Sequence, residues 1–251
     1  MRLKEESRES FHSCEGCTTL FETMNCGNKK ICSFVGLQME LDAIFAEGEE
    51  EGESFLGKRS ARLEELLTRC CFADEEVAKY AKVSPQLWLP YTRNLVHENE
   101  NYTILVLVWQ PMSQSKIHSH PCDGCIITPL KGEVSESVYE APEGSTDEEN
   151  LVLKKVQHFK KGQVGFMSDH MKQYHKIESQ TGCISLHLYT PPFQRCRIWV
   201  PVEQGEEKLG EEKPGEERAY KSREVGSQLY SIKGVAPPPE SFREYDLEYY
   251  I

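Results

Sequence analysis

Two short segments of this sequence have the residue types and spacing of a metal site next to a reactive thiol. Residues 118–120 read His-Ser-His and are followed by Cys125, and residues 185–189 read Ser-Leu-His-Leu-Tyr. Successive side chains of a β-strand alternate between its two faces, so each segment is predicted to present its polar groups on one face. Buried polar groups without partners lose hydration, which is costly in a plain apolar core. The two segments therefore indicate a functional site.

The first segment has the form of the first cupin motif, His-x-His-x(4)-Glu-x(6)-Gly. His118 and His120 stand at the histidine positions and Gly132 at the glycine position, whereas Cys125 stands where the glutamate ligand usually lies. Without that carboxylate, a third imidazole from a later strand would complete a three-histidine site. Three neutral ligands leave the full positive charge on a divalent metal, which then favours an anionic donor from the substrate.

The third histidine is expected in residues 169–178, which contain both His170 and His175. His175 is followed by Lys-Ile-Glu and by a turn at Gly182, so it is predicted to lie at the start of a strand, like the first pair. We therefore predict His175 as the third ligand and keep His170 as the alternative. The isolated histidines are expected to be surface or packed residues, and these are His12, His97 and His158.

The elements that must position these residues fall into two regions. Apolar residues recur at helical spacing over 37–46 and 60–72, and a third helix is predicted from Asp74 to before Ser84-Pro85. From about Tyr91 the pattern changes to short alternating or β-branched runs. The predicted strands are 103–109, 125–130, 133–140, 164–168, 183–189, 196–202 and 227–232. We expect a mainly β, antiparallel fold with a few short N-terminal α-helices, and the likeness of residues 118–132 to the cupin motif implies that the strands form a cupin-type β-barrel (jelly roll).

The chain of 251 residues is long enough for one large domain with extensions. Residues 1–35 lack a clear periodicity and are expected to form a poorly ordered or loosely packed extension. Residues 36–251 are expected to form a single domain, with its helices at about 37–83 and its barrel at about 91–235. A Gly-Glu-Glu repeat is too polar to bury apolar surface, so a solvated loop is predicted at 203–218.

Composition narrows the partners and the compartment. The 41 acidic residues outnumber the 29 basic ones, and the net charge of −12 argues against binding to nucleic acid or to an anionic membrane surface. No apolar run approaches the roughly 20 residues of a membrane helix, and residues 1–10 are too charged for a signal peptide. The ten cysteines, including Cys14-x-x-Cys17, match no strong zinc-ligand pattern and are expected to be reduced thiols of a cytoplasmic protein. A monomer is expected because no exposed apolar stripe stands out.

Four segments together resemble the cysteine dioxygenases, the thiol dioxygenase branch of the cupin superfamily. They are Tyr91-Thr92-Arg93-Asn94-Leu95-Val96, Ile117-His118-Ser119-His120 with Cys125, Asp169 through Glu178, and Ser185 through Phe193 with Cys196. The combination spans most of residues 37–202 and is far more specific than a lone His-x-His. The chain departs from the family by one extra residue between Asp169 and His175, and by Cys122, a second thiol after the histidine pair.

The resemblance implies a metal and a substrate. It implies ferrous iron, Fe(2+), bound by three histidines, which are His118, His120 and His175. It also implies that Arg93 forms a salt bridge with the carboxylate of L-cysteine, with Tyr91 and Cys196 beside the substrate as contacts or as packing. Cysteine would chelate iron through its amine and thiolate, and both atoms of O2 would be delivered to sulfur. The product would be cysteine sulfinic acid, which places the reaction in cysteine catabolism and taurine biosynthesis.

The same resemblance implies roles for the second segment. Tyr189 would donate a hydrogen bond on the oxygen side of the metal, with His187 and Ser185 as a relay that orients its hydroxyl. A thioether crosslink is implied between Cys125 and Tyr189, which would lock the ring, and Cys122 is the alternative thiol.

Two other classes of function remain open. A related thiol dioxygenase acting on a mercapto-acid or an aminothiol would keep the three histidines but should lack the arginine or the crosslinking cysteine, and both Arg93 and Cys125 are present. A non-enzymatic cupin that binds a metal or a ligand would lack the Ser-His-Tyr relay of residues 185–189. We therefore expect a cysteine dioxygenase, an oxidoreductase that incorporates two oxygen atoms.

Overall fold

Three short helices precede the strands. The computed structural model describes residues 30–47, 58–83, 90–144, 150–202, 212–226 and 230–231. The helices are α1 (Phe34–Ala46), α2 (Lys58–Thr68) and α3 (Asp74–Ala78). Ser33 caps α1, because its side chain accepts a hydrogen bond from the backbone N–H of Gly36 at 3.0 Å. Within these residues no helix is long and apolar enough to cross a membrane.

The helices cover one face of a β-sheet. The buried residues of α1 are spaced as on one side of a helix, and they are Phe34, Leu37, Leu41 and Ile44. They share a hydrophobic core with α2 and with strand residues that include Ile104, Leu186 and Leu188. Because side chains alternate along a strand, the opposite face of the strand with Leu186 and Leu188 carries Ser185, His187 and Tyr189. The helices therefore support the polar segment from behind.

Strands dominate the rest of the described chain. They are β1 (Tyr91–Glu98), β2 (Thr103–Trp109), β3 (Ser113–Gln114), β4 (Ile117–His118), β5 (Gly124–Glu140), β6 (Asn150–Lys160), β7 (Gly165–Met167), β8 (Tyr174–Ser179), β9 (Cys183–Thr190), β10 (Arg195–Pro201), β11 (Glu217–Gly226) and β12 (Tyr230–Ser231). A short 3-10 turn, Asp169–Met171, lies just before β8.

The strand pairings form two sheets that share the long strand β5. One sheet is ordered β12-β1-β2-β9-β5, and the other joins the second half of β5 to β6, β11, β10, β4 and β8. The second sheet closes on itself, because β8 pairs with both β4 and β5. Apart from the parallel β1–β12 pair, the named pairings are antiparallel. The predicted mainly antiparallel β fold with a few N-terminal helices is confirmed.

Apolar strands match the sequence prediction and charged strands do not. The predicted strands at 103–109 and 183–189 coincide with β2 and β9 to within one residue. The predicted strands at 125–130 and 133–140 are one continuous strand, β5, whose register with β9 shifts between Pro129 and Lys131. Strands β1, β6 and β11 are additional to the predicted ranges. In β6 and β11 the charged side chains on exposed positions hide the alternation.

The core begins earlier than the sequence predicts, and two of the three helices end earlier. Ile31 and Phe34 are buried, and Ile31 forms a β-bridge with Cys70, so these residues pack with the domain rather than with an extension that ends at residue 35. The helix predicted at 60–72 ends at Thr68, which leaves Cys70 beyond its end, and α3 ends at Ala78. The Cys14-x-x-Cys17 pattern lies outside the described residues. No disulfide forms among the cysteines that the structure describes.

One residue of the acidic repeat, Glu212, packs against the second sheet, whereas residues 213–217 are exposed, as expected of a solvated segment. Glu212 is half-buried, and its carboxylate accepts hydrogen bonds from the hydroxyl groups of Tyr139 and Tyr220. Strand β11 begins at Glu217, inside the loop predicted at 203–218. The two tyrosine hydroxyls supply hydrogen bonds that compensate the Glu212 carboxylate for the water contacts it has lost. Residues 203–211 of that loop lie outside the described residues.

A cavity of about 450 Å³ lies beside Glu212. Its lining includes Ile117, Lys176 and Trp199. Ile117 and Lys176 are the strand neighbours of two candidate ligands, His118 and His175, and neighbouring side chains point to opposite faces. The cavity therefore lies on the face of this sheet that points away from the histidines.

Gly132 marks the position where β5 meets the turn before β9. It has a φ of +76°, and a Cβ added there would lie 2.5 Å from the carbonyl oxygen of Gly182. Gly132→Ala is expected to destabilise the protein by at least about 1–3 kcal/mol, the range for a strained backbone, because the contact with a main-chain oxygen adds to the strain. The measurement is the midpoint of urea unfolding.

Gly144 provides the matched control for Gly132. It has the same φ of +76°, but a Cβ added there would meet nothing within 4 Å. Gly144→Ala should therefore show the cost of the backbone angle alone, and its loss of stability should be clearly the smaller. Equal losses would mean that the close approach of Gly132 to Gly182 contributes nothing to the cost of the Gly132 substitution.

Candidate functional site

Three histidines from neighbouring strands meet in the interior. His118 is the last residue of β4, and it lies opposite His175 of β8. His120 follows β4 just beyond its end, so the strand predicted through both histidines is shorter than expected. The ring centroids are 4.5 to 4.7 Å apart. One nitrogen from each ring lies within 4.8 Å of the other two, which is close enough for one metal ion.

Hydrogen bonds behind two of these rings direct their lone pairs at each other. His118 Nδ1 donates to the carbonyl oxygen of Lys116 at 2.8 Å, and His175 Nδ1 donates to the carboxylate of Glu136 at 2.5 Å. The Nε2 atoms of the two rings lie 3.2 Å apart. When both rings are neutral, as metal ligands are, each Nδ1 carries the one N–H and each Nε2 offers a lone pair. Two ligands at about 2.1 Å from a metal, at right angles, are about 3 Å apart. The donor set therefore fits a divalent cation between the rings.

Two of the three histidines, His118 and His120, are held in the neutral form that metal ligation requires. Burial lowers the pKa of His118 and of His120 well below the usual value, and the neighbouring ring of His175 acts in the same direction. Nδ1 of His120 is buried without a hydrogen-bond partner among the described residues. Neutral imidazole nitrogens that have lost their hydration can bind a metal without first releasing a proton.

A chain of hydrogen bonds runs along the inner face of β9. The indole Nε1 of Trp109 donates to Ser185 Oγ at 2.8 Å, and Ser185 Oγ lies 2.9 Å from His187 Nε2. His187 Nδ1 lies 3.2 Å from the hydroxyl of Tyr189. The Tyr189 ring stacks at 6.0 Å from the ring of His120, so the chain ends beside the three histidines.

Burial also sets the protonation states of His187 and Tyr189 in this series of hydrogen bonds. It lowers the pKa of His187 well below the usual value, and Arg93 adds to that effect. It raises the pKa of Tyr189 well above the usual value, although Arg93 opposes the shift. A neutral imidazole therefore stands beside a protonated phenol, and their hydrogen bond transfers no charge.

Arg93 is a buried cation on the same sheet. It lies on β1 opposite Leu107 of β2, and Leu107 lies opposite Ser185 of β9. The side chain is only 4% exposed, and within the described residues its Nε has no hydrogen-bond partner. Its Cζ lies 5.9 Å from the centre of the Tyr189 ring. A buried guanidinium is costly unless an anion pairs with it, so the geometry suits an anionic ligand beside Tyr189.

Tyr91 and Cys196 both lie within the electrostatic reach of Arg93. The Tyr91 ring packs on Trp109 with a centroid distance of 4.3 Å, which gives it a packing role. Cys196 is buried in a small cluster with Ile198 and Val225. Burial raises the pKa of Cys196 to about 12 and raises that of Tyr91 above its usual value, while Arg93 opposes both shifts.

Cys125 and Tyr189 face each other across two strands. They are directly opposite in the antiparallel β5–β9 pair. Such pairs bring their Cβ atoms to about 4.5–5.5 Å. Both side chains are at most 5% exposed, and burial raises the pKa of the Cys125 thiol well above its usual value. The register thus places one thiol beside one phenol ring, next to the histidine cluster.

The sequence of this region matches one known family. The family model of cysteine dioxygenase type I matches residues 58–200, which is more than half of the 251 residues. The chain belongs to the cysteine dioxygenase type I family. The histidine cluster, Arg93 and the hydrogen-bond chain of β9 all lie inside the matched region.

Individual cysteine dioxygenases show the same similarity. The cysteine dioxygenase type 1 of Rattus norvegicus is 30% identical over 125 residues, which are 48% of this chain and 60% of the rat protein. The Homo sapiens protein is 31% identical over 125 residues, with 48% and 60% covered. The Danio rerio protein is 29% identical over 126 residues, with 45% and 62% covered. The similarity therefore spans less than two thirds of each relative.

The two alternatives from the sequence differ in their distance from the site: His170 lies apart from the histidine cluster, whereas Cys122 is buried in the same apolar cluster as Cys125 and Tyr189. The side chain of His170 is 55% exposed, and its Nε2 lies 3.1 Å from Asp123 Oδ1, away from the other histidines. Cys122 is buried in the loop before β5, and its Sγ donates to the carbonyl oxygen of Gly124 at 3.4 Å. It is Cys125, not Cys122, that stands opposite Tyr189 in the register.

The structure adds two residues to the site that the sequence does not predict. Glu136 accepts the hydrogen bond of His175, and Trp109 donates to Ser185. Glu136 alternates with the buried residues Val134 and Val138, so the strand pattern does place it on an inner face. Trp109 ends an apolar run and carries no comparable signal, because its partner is known only from the β2–β9 register.

Proposed function

We propose that this protein is an iron(II)-dependent dioxygenase that converts L-cysteine and O2 to cysteine sulfinic acid. The observation that carries the proposal is a three-histidine cluster with a buried arginine and a buried tyrosine beside it. The cluster supplies a metal site, and Arg93 supplies a charge for a carboxylate. Membership of the cysteine dioxygenase type I family supports both the reaction class and the substrate.

Iron(II) is the metal that we propose for the cluster, held by His118, His120 and His175. Imidazole ligands suit iron among several first-row metals, and the family argues for iron among these. When bound, iron would lower the pKa of the substrate thiol and offer positions for that thiolate and for O2. The three ligands are neutral, so the protein leaves the metal charge available to an anionic substrate.

Arg93 would bind the substrate carboxylate. Its planar guanidinium can donate two parallel hydrogen bonds to a carboxylate, which fixes both the position and the orientation of an amino acid. The buried Nε without a partner among the described residues is one donor available for this purpose. The Tyr189 ring contacts both Arg93 and His120, so Arg93 and the histidine cluster lie on either side of it. A substrate whose carboxylate is bound by Arg93 would therefore direct its sulfur toward the cluster.

The hydrogen-bond chain would set the direction in which Tyr189 donates. An indole N–H can only donate, so Ser185 accepts from Trp109, and in the tautomer that we propose it gives its own proton to His187 Nε2. His187 then carries its proton on Nδ1 and donates it to the oxygen of Tyr189. The hydroxyl proton of Tyr189 is left to point toward the substrate and the oxygen that reacts with it. In the overall reaction both atoms of O2 bond to sulfur, so no external reductant is required.

The thioether between Cys125 and Tyr189 is a further part of the proposal. It joins Sγ to a ring carbon while the S–H and C–H bonds break, and the two hydrogen atoms reduce O2 to hydrogen peroxide. Cys125→Ser is expected to abolish a faster-migrating crosslinked band on a denaturing gel, because the register gives Tyr189 this thiol as its cross-strand partner. Cys122→Ser is the matched control and should keep both bands. Persistence of the doublet in Cys125→Ser would assign the crosslink elsewhere.

The central experiment compares three thiols. The protein is reconstituted with iron(II) under anaerobic conditions, and O2 uptake and sulfinate formation are measured with L-cysteine, 3-mercaptopropionate and cysteamine. Cysteine should be the best substrate, since it alone has both the carboxylate for Arg93 and the amine that chelates the metal. A sulfinate product from another thiol but not from cysteine would refute the proposed substrate.

We also propose that the protein acts on these small molecules as a monomer in the cytoplasm. The net charge of −12 disfavours nucleic acid and anionic membranes as partners. Size-exclusion chromatography with light scattering tests the monomer, and a mass of twice 28.8 kDa would contradict it.

A further inference from the structure

We propose that Glu136 is a positioning residue of the metal site, which orients His175 and places a negative charge behind this neutral ligand. Its carboxylate oxygen Oε1 accepts the Nδ1–H of His175 at 2.5 Å, and the side chain is only 1% exposed. The proposal rests on the proposed function only for the identity of the metal. It concerns how tightly the site holds a divalent ion and which oxidation state it favours.

The sheet holds Glu136 from both sides. Strand β5 lies between β6 and β8, with Glu136 opposite Gln157 of β6, while His175 of β8 lies opposite the next inward residue, Val138. A long side chain can reach such a diagonal neighbour across the strands. The second carboxylate oxygen, Oε2, accepts a hydrogen bond from the amide Nε2 of Gln157. Both oxygens therefore have partners, and the carboxylate cannot turn away from His175 without losing one of them.

This contact makes His175 different from the other two candidate ligands. The partner of His118 Nδ1 is a neutral main-chain carbonyl, and Nδ1 of His120 has no partner among the described residues. A carboxylate that accepts from a ligating imidazole fixes its orientation and makes its other nitrogen a stronger donor. Cys125 replaces the glutamate ligand of the cupin motif, and Glu136 supplies a carboxylate one step further from the metal.

The test is Glu136→Gln, which keeps the shape of the side chain and removes its charge. Iron(II) affinity is measured anaerobically by competition with a chromophoric chelator, with no substrate present. We expect affinity to fall by about 10- to 100-fold, as is typical when such a partner is lost. The reduction potential of the bound iron should rise, because removal of a nearby negative charge disfavours iron(III). A purely structural role would leave that potential unchanged.

Glu140→Gln is the matched control. Glu140 lies on the same strand and contacts Gln173 and Lys154 instead of a histidine, so affinity and potential should stay at wild-type values. Wild-type values in Glu136→Gln, or equal changes in both variants, would overturn the proposal. If Glu136→Gln does not fold, Gln157→Leu decides: we expect a several-fold loss of affinity, and an unchanged affinity would overturn the proposal.

The experiment separates this inference from the proposed function. Affinity and potential are measured without a thiol, so the inference stands if wild-type protein binds iron but makes no sulfinate from cysteine. Failure of the wild-type protein to bind iron would instead refute the proposed function. The inference would then be tested by the same competition with zinc(II), and equal zinc affinities of wild type and Glu136→Gln would overturn it.

Discussion

His175→Ala is expected to abolish iron binding. The ring of His175 lies within reach of both other candidate ligands, with its Nε2 3.2 Å from that of His118, and no other described side chain takes its place. Two remaining histidines cannot hold iron against dilution, so the loss should exceed the roughly 10- to 100-fold cost of losing a supporting partner. Iron per protein chain after anaerobic reconstitution and gel filtration is the direct measurement. Oxygen uptake with cysteine should disappear in parallel.

His170→Ala is the control for that result. His170 is the neighbouring histidine in the same segment, but its side chain is 55% exposed and pairs with Asp123. We expect it to retain wild-type iron content, because a surface pair of this kind contributes at most about 1 kcal/mol to stability. Iron retained in His175→Ala but lost in His170→Ala would move the third ligand to the 3-10 turn.

The fold follows from the sequence where burial is uniform. Strand β2 is buried along nearly its whole length, so its sequence is a run of apolar residues that only a strand explains. Strand β11 has Lys221, Arg223 and Glu224 on exposed positions, and the alternation with its buried residues is too weak to read. The end of the N-terminal segment was also beyond prediction, because Phe34 is buried by contacts with Phe72 and Tyr80 that no local pattern encodes.

The part of the candidate site that can be predicted from the sequence is the part whose residues lie close together on one strand. Ser185, His187 and Tyr189 obey a period of two on one strand, and their hydrogen-bond chain runs along that strand. Glu136 and Trp109 were not assigned, since each acts on a residue of another strand and depends on the register between strands. Register is set by the whole sheet, which is why the residues behind a ligand are harder to predict than the ligand.

Arg93→Gln is expected to lower kcat/KM for cysteine by at least roughly 100-fold. Removing one partner of a buried ion pair costs about 3–5 kcal/mol, and each 1.4 kcal/mol is a factor of about ten. The kcat/KM of Arg93→Lys should lie between those of the wild type and Arg93→Gln, since lysine keeps the charge but loses the two parallel hydrogen bonds. Arg195→Gln is the matched control: Arg195 is exposed and pairs with Glu224, so it should leave kcat/KM unchanged.

Cysteamine distinguishes substrate recognition from packing at Arg93. It has the thiol and the amine of cysteine but no carboxylate, so it cannot use the guanidinium. If Arg93 binds the carboxylate, Arg93→Gln should lower the rate with cysteine far more than the rate with cysteamine, and the preference between them should shrink. The guanidinium also lies 5.9 Å from the Tyr189 ring centre, so a structural role predicts a different result. Equal losses with both thiols would mean that Arg93 orders Tyr189 and that another group selects the substrate.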